Sequence, residues 1–147
     1  MGATFNRAAT ETEAVIHRLM PYVWISVGAI LGANARYLVN RLMAGWLGTS
    51  FPYGTLVVNV GGCLAVGLVG TLITGRLIDR PDLVRLVVIV GFLGSLTTFS
   101  SFAWETNTLL QDGAWVRALA NVLLSVTAGL VGVRLGVMLI PRLGGLP

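Results

Sequence analysis

The chain has 147 residues, of which 55% are hydrophobic and only 11% charged. A water-soluble domain of this size carries about a quarter charged residues, and a mean hydropathy of +0.83 points instead to an integral membrane protein. The net charge is +4 and the chain contains no lysine; no arginine cluster with interleaved aromatics exists, which argues against nucleic acid as a partner.

Residues 1–20 are polar, with Asn6, Arg7, Glu11, Glu13, His17 and Arg18 among them. They lack the apolar core of a secretory signal and are expected to form a short, loosely ordered tail before a four-helix membrane domain over 21–147. His17 has no second ligand at metal-binding spacing, and the lone Cys63 permits no internal disulfide framework.

Four apolar segments follow, over about 22–44, 55–74, 83–110 and 114–140, each near or above the roughly 20 residues that a helix needs to cross the hydrocarbon. Gly75-Arg76 closes the second and Pro141 the fourth. The expected fold class is therefore all-α and integral to the membrane, with short connections and no room for a second domain. Arg7, Arg18, Arg76, Arg80, Arg85 and Arg142 fall on the side of both termini, against Arg41 and Arg117 opposite. The positive-inside rule then places both termini in the cytoplasm.

Polar groups at membrane depth must be hydrogen-bonded or face water, and they are functional candidates by default. Here they are Asn34, Arg36 and Asn40; Thr55 and Asn59; Thr97, Thr98, Ser100, Ser101 and Glu105; and Asn121, Ser125 and Thr127. Gly91, Gly94 and the β-branched pair Thr97-Thr98 lower helix propensity in the middle of the third span. Two readings follow. The helix breaks there and its freed carbonyls face an ion, or it stays intact and packs its small residues on a neighbour. Phe99 and Phe102 share a face at helical spacing, and Glu105 follows one turn on. Thr55 with Asn59, and Asn121 with Ser125, form polar stripes suited to a narrow hydrophilic path or to helix packing. Gly28, Gly32 and the run Gly61, Gly62, Ala65, Gly67, Gly70 permit close helix approach.

The stretches GAILGANARY (Gly28–Tyr37), GTLVVNVGGC (Gly54–Cys63) and GFLGSLTTFSSF (Gly91–Phe102), followed by Glu105, resemble the Fluc (CrcB-type) family of small fluoride channels. The resemblance covers nearly all of the chain after residue 20. It implies an antiparallel, dual-topology homodimer in the plasma (inner) membrane, surrounded by lipid, with a pore for fluoride on each side of the interface. It further implies that the third helix breaks at mid-membrane, and that backbone carbonyls of Gly94 and Thr97 from both subunits enclose a structural sodium ion. Phe99 and Phe102 would line the pores, Asn59 would donate to the anion, and Arg36 would sit near an aqueous vestibule. Thr55, Glu105 and Ser125 would belong to a polar track along the pathway. Ser95 and Ser101 stand where Gly and Thr are commoner in the family, which leaves backbone ligation unaltered. The arginine bias sits uneasily with insertion in both orientations, so a heterodimer with an oppositely oriented paralogue is the alternative to a homodimer.

Other classes make different demands. A small multidrug or cation transporter of four helices would need a carboxylate in its first span, where this chain has Arg36. A non-transporting assembly protein would use its glycines and asparagines for packing alone and would tolerate Leu at Phe99 or Phe102. An enzyme lacks its parts here, with no Ser-His-Asp set, metal cluster or phosphate loop to assemble.

Overall fold

The computed structural model describes the backbone of residues 2–144 and the side chains of Glu13 and residues 15–140. Among the described residues all regular structure is helical: α1 (Gly2–Leu47), α2 (Tyr53–Thr74), α3 (residues 81–96), α4 (Phe99–Gln111) and α5 (Trp115–Gly144). Four segments are long and apolar enough to cross a membrane: Val15–Leu47, Tyr53–Thr74, Pro81–Gln111 and Trp115–Ile140.

Helix ends follow from local chemistry. Gly48, at φ 78°, turns the chain out of α1, its N–H bonding the Ala44 carbonyl at 3.0 Å. Gly113, at φ 72°, does the same after α4; Ala114 N–H then reaches Leu109 O at 2.8 Å, a Schellman closure that satisfies an otherwise orphaned carbonyl. At the end of α2 the left-handed residue is not Gly75 but Arg76, at φ 55°, with Leu77 N–H on Leu72 O at 3.0 Å. A side chain in that conformation costs about 1–2 kcal/mol.

Two boundaries differ from expectation. Backbone expected to be a loose tail is helical from Gly2 onward, continuous with the first span. Residues 3–20 contain neither Gly nor Pro and several good helix formers (Ala3, Ala8, Ala9, Glu11, Ala14), so nothing there stops a helix. Helix α5 likewise runs through Pro141 to Gly144; proline removes one backbone donor and strains the preceding turn, which bends a helix without always ending it.

The helices pack as two parallel pairs in which backbone meets backbone. In the first pair Gly28 lies against Val87, Gly91 and Phe92, and Gly32 against Phe92 and Leu96, so residue numbers rise together along α1 and α3. In the second pair Gly132 faces Val60 and Leu64 while Gly136 faces Leu64, Gly67 and Leu68, and α2 and α5 run parallel. Helices α1 and α2 are antiparallel neighbours, with Gly54 seated on Asn40. Without water to drive apolar surfaces together, association in lipid rests on such close approach. The glycine run of α2 divides accordingly: Gly62 and Gly67 are packed, whereas Gly61 and Gly70 face open space.

This pairing puts the start of α1, the end of α2, the start of α3 and the end of α5 together, and with them Arg18, Arg76, Arg80 and Arg85. Arg134, an exposed residue of α5 inside the fourth apolar span, joins that end: its neighbour Val133 packs on Gly67. It is a membrane-depth cation missing from the polar groups that the sequence singles out, and its long stem lets the charge snorkel outward.

Within residues 81–96 the stretch Arg85–Leu93 is wound as a π-helix, with Gly94 N–H on the Ile89 carbonyl five residues back. This wider winding presents Gly91 to Gly28, where a Cβ on Gly91 would come within 3.0 Å of the Gly28 Cα.

Gly28→Ala and Gly136→Ala are expected to destabilise the protein, by roughly 1–3 kcal/mol each, because their methyl groups would strike the Val87 and Leu64 carbonyl oxygens. Gly45→Ala meets only open space and should leave stability unchanged or raise it by up to about 1 kcal/mol. Thermal melting of the purified protein in detergent distinguishes the two classes.

Candidate functional site

Between residue 96 and Phe99 the backbone is extended, Thr97 at φ −83°, ψ 154° and Thr98 at φ −154°, ψ 120°. Two extended residues inside an apolar span leave peptide groups without their helical partners, which hydrocarbon cannot replace. Asn59, in the first half of α2, meets this need. Thr98 N–H donates to Asn59 Oδ1 at 2.8 Å, and Asn59 Nδ2 donates to Thr98 O at 3.1 Å. A primary amide copies the donor and acceptor of a peptide, so one side chain satisfies both faces of Thr98. Gly62, three residues along α2, keeps the same face flat: a Cβ there would strike Thr97 Cγ2.

Thr98 also begins the next helix. Its Oγ1 accepts from Ser101 N–H at 3.2 Å, the bond an N-cap residue supplies to an orphan donor, and lies 3.2 Å from the hydroxyls of Ser100 and Ser101. These bonds have a consequence for the carbonyls upstream. In an unbroken helix Gly94 O would accept from Thr98 N–H, and Thr97 O from Ser101 N–H. Both donors are committed elsewhere, to Asn59 Oδ1 and to Thr98 Oγ1, so both oxygens are left with lone pairs to offer. Hard carbonyl oxygens of this kind suit an alkali or alkaline-earth cation, and Gly94 is exposed on the surface of the chain. Among the described residues no group of His, Cys, Asp and Glu is arranged to hold a metal.

Phe99 and Phe102 stand next on α4, their ring centroids 5.6 Å apart and their planes inclined by 46°. Phe99, directly after the extended pair, is 79% exposed despite its aromatic ring, whereas Phe102 is half-buried. One turn beyond Phe102, Glu105 accepts from Thr55 Oγ1 at 2.8 Å. The stripe of Thr55 and Asn59 on α2 therefore serves α4 and the extended pair, one residue each.

A second set of bonds ties α5 to the same helix. Asn121, 1% exposed, donates from Nδ2 to Thr106 Oγ1 at 2.9 Å; Thr106 Oγ1 in turn donates to Phe102 O at 2.7 Å. Ser125 Oγ lies 3.5 Å from Asn121 Oδ1. The buried hub here is Asn121, which the sequence shows only as one member of a stripe; its signal is an Asn in an otherwise apolar run with Ser125 one turn away. Arg36 is half-buried and bonds to none of the described residues, so the fold does not join it to the others.

The fold and these bonds describe a multi-pass membrane protein with polar groups gathered around a two-residue extended stretch. The model of the family described as "CrcB-like protein, Camphor Resistance (CrcB)" matches residues 23–137. A protein of Solibacter usitatus named fluoride-specific ion channel FluC is 48% identical over 84% of this chain and 100% of its own length. Proteins of the same name from Roseiflexus and Chloroflexus aurantiacus are 48% identical over 80% of the chain and 94% of their length, and 44% identical over 82% and 95%. The chain belongs to the CrcB family.

Asn59→Leu should be the most destabilising single change in α2, since it strands both peptide groups of Thr98 at roughly 1–3 kcal/mol apiece. Thr55→Val, which removes one donor from the Glu105 carboxylate, should cost about 1.5–3 kcal/mol, less than the two stranded groups together. Melting of both variants in detergent tests the order; equal losses would contradict the two-point pairing.

Proposed function

We propose that the chain is a passive, fluoride-selective ion channel rather than an enzyme, and that it lets cytoplasmic fluoride leave through the plasma (inner) membrane. The observation that carries this reading is the exposed Phe99 beside Phe102, set on the helix that follows the Asn59-braced pair. The relatives' printed name agrees with it. Aromatic rings carry a positive edge that receives a small anion without the grip of a full positive charge, and conduction requires binding strong enough to replace hydration yet weak enough to release. Asn59 bonds Thr98 O with Nδ2, and a primary amide has two N–H donors; the second serves the anion. Thr55, Glu105 and Ser125 belong to the polar track, and Arg36 to a vestibule.

In this reading the third span is a helix broken at mid-membrane, and the working unit is an antiparallel homodimer with two pores in lipid. Residues 1–20 form a segment outside the channel domain of 21–147. Gly94 and Thr97 offer the carbonyl oxygens for a central sodium ion, whose charge would offset the clustered carbonyl dipoles of the two subunits. A heterodimer with an oppositely oriented paralogue is the second arrangement, favoured by the arginines at one end of the bundle.

Fluoride efflux from liposomes, followed with an electrode beside a matched chloride control, tests the function. Rapid fluoride release with flat chloride is expected. Phe99→Ile and Phe102→Ile should each lower flux by about tenfold or more, the loss of one ring-edge contact of about 1.4 kcal/mol at the barrier. Asn59→Asp should abolish flux, because it adds a repelling charge and turns an oxygen toward Thr98 O. Wild-type rates from all three variants would remove the pore assignment.

A further inference from the structure

A cavity of about 420 Å³ lies at the end of the bundle away from the arginine-rich end, where α1 finishes and α2 begins; Asn40, Gly54, Thr55, Trp104, Glu105 and Arg117 are in its wall. Two side-chain oxygens of that wall are buried without a donor, Asn40 Oδ1 and Glu105 Oε2. They belong to one neighbourhood. Thr55 holds Glu105 by its other oxygen, Oε1, at 2.8 Å, and Gly54, the residue before Thr55, packs so closely on Asn40 that a Cβ would collide with Oδ1.

A buried acceptor without a donor is costly, more so on a carboxylate, and here two such acceptors belong to residues of one wall. The amide of the pair can change sign in place without taking up a proton. A half-turn about the Asn40 Cβ–Cγ bond puts Nδ2, a donor of two hydrogens, where Oδ1 stands, and breaks no bond that Oδ1 makes.

We propose that Asn40 is the second clamp on Glu105: Nδ2 donates to Oε2 while Thr55 donates to Oε1, so that α1, α2 and α4 hold one carboxylate by both oxygens. Asn40 is then a positioning residue, acting on the pathway through Glu105, and this role in conduction rests on the channel reading above. The clamp has a purpose set by a neighbour. Arg117 lines the same cavity and gives its guanidinium to Ser50 O at 2.8 Å, fixing the loop between the first two spans. A Glu105 freed to swing into the cavity would compete for Arg117 and loosen that loop at the mouth.

The test exchanges donor and acceptor. Asn40→Asp keeps the shape but removes the donor, and fluoride efflux per reconstituted chain should fall about tenfold, as for a lost bond to a charged group, with a lower melting temperature. The double variant Asn40→Asp/Glu105→Gln returns one donor and one carboxylate to the cluster in exchanged places; its melting temperature should recover most of what Asn40→Asp loses, a coupling that independent sites do not show. If Asn40→Asp does not fold, Asn40→Ala in the wild-type and Glu105→Ala backgrounds decides the question: its loss should vanish in the second. Additive effects in either cycle, or wild-type behaviour of Asn40→Asp, overturn the clamp. The melting-temperature cycle judges the contact by itself, so a wild-type protein that carries no fluoride would sink the channel reading and leave the clamp to be decided by melting.

Discussion

The structure turns on the peptide groups of Thr98, extended between two helices inside an apolar span. Thr98 can be extended only because Asn59 meets its N–H and its carbonyl together. The rest of the polar arrangement follows from that pairing. It releases the Gly94 carbonyl, lets Thr98 cap α4 through its hydroxyl, and sets where Phe99 emerges. Glu105 and Thr106 then fall at the heights where Thr55 and Asn121 reach them. Each of these bonds lies between helices or across the interruption, so the polar groups organise the bundle as well as any pathway through it.

Packing makes the pairing geometrically possible. Backbone contact through Gly28, Gly32 and Gly91 brings α3 against α1, and contact through Gly67, Gly132 and Gly136 brings α5 against α2. At the gap that Asn59 spans, the close approach is made by Gly62 against Thr97, so that a side chain as short as asparagine reaches the Thr98 backbone.

Much of this is legible in the sequence, for reasons that differ by residue. The four spans are evident because hydrocarbon sets a length and disfavours charge, and the helices cover those segments, the first beginning earlier, at Val15. The small residues at Gly28 and Gly32 announce close approach, but sequence spacing cannot tell which glycine of a run touches a neighbour, and Gly61 and Gly70 do not. Asn59, Thr55 and Glu105 stand out as polar groups at membrane depth; their partners do not, because a hydrogen bond across 39 or 50 residues leaves no local trace. Arg134 is hidden by the apolar run around it; Asn121 is visible beside Ser125, but not that it is the buried hub. The passage of α5 through Pro141 and the helical backbone from Gly2 show the limit of local stop signals: one proline weighs less than the long helical run that precedes it.

The reciprocal bond between Asn59 and Thr98 also bears on how the molecule comes into being. A third span newly placed in lipid, before α2 has packed beside it, has no side chain to take the two peptide groups of Thr98. An uninterrupted helix is then the cheaper conformation, since it satisfies both internally. The shape of the third span therefore depends on the second: hydrogen-bond supply makes α2 the template on which the extended pair is held.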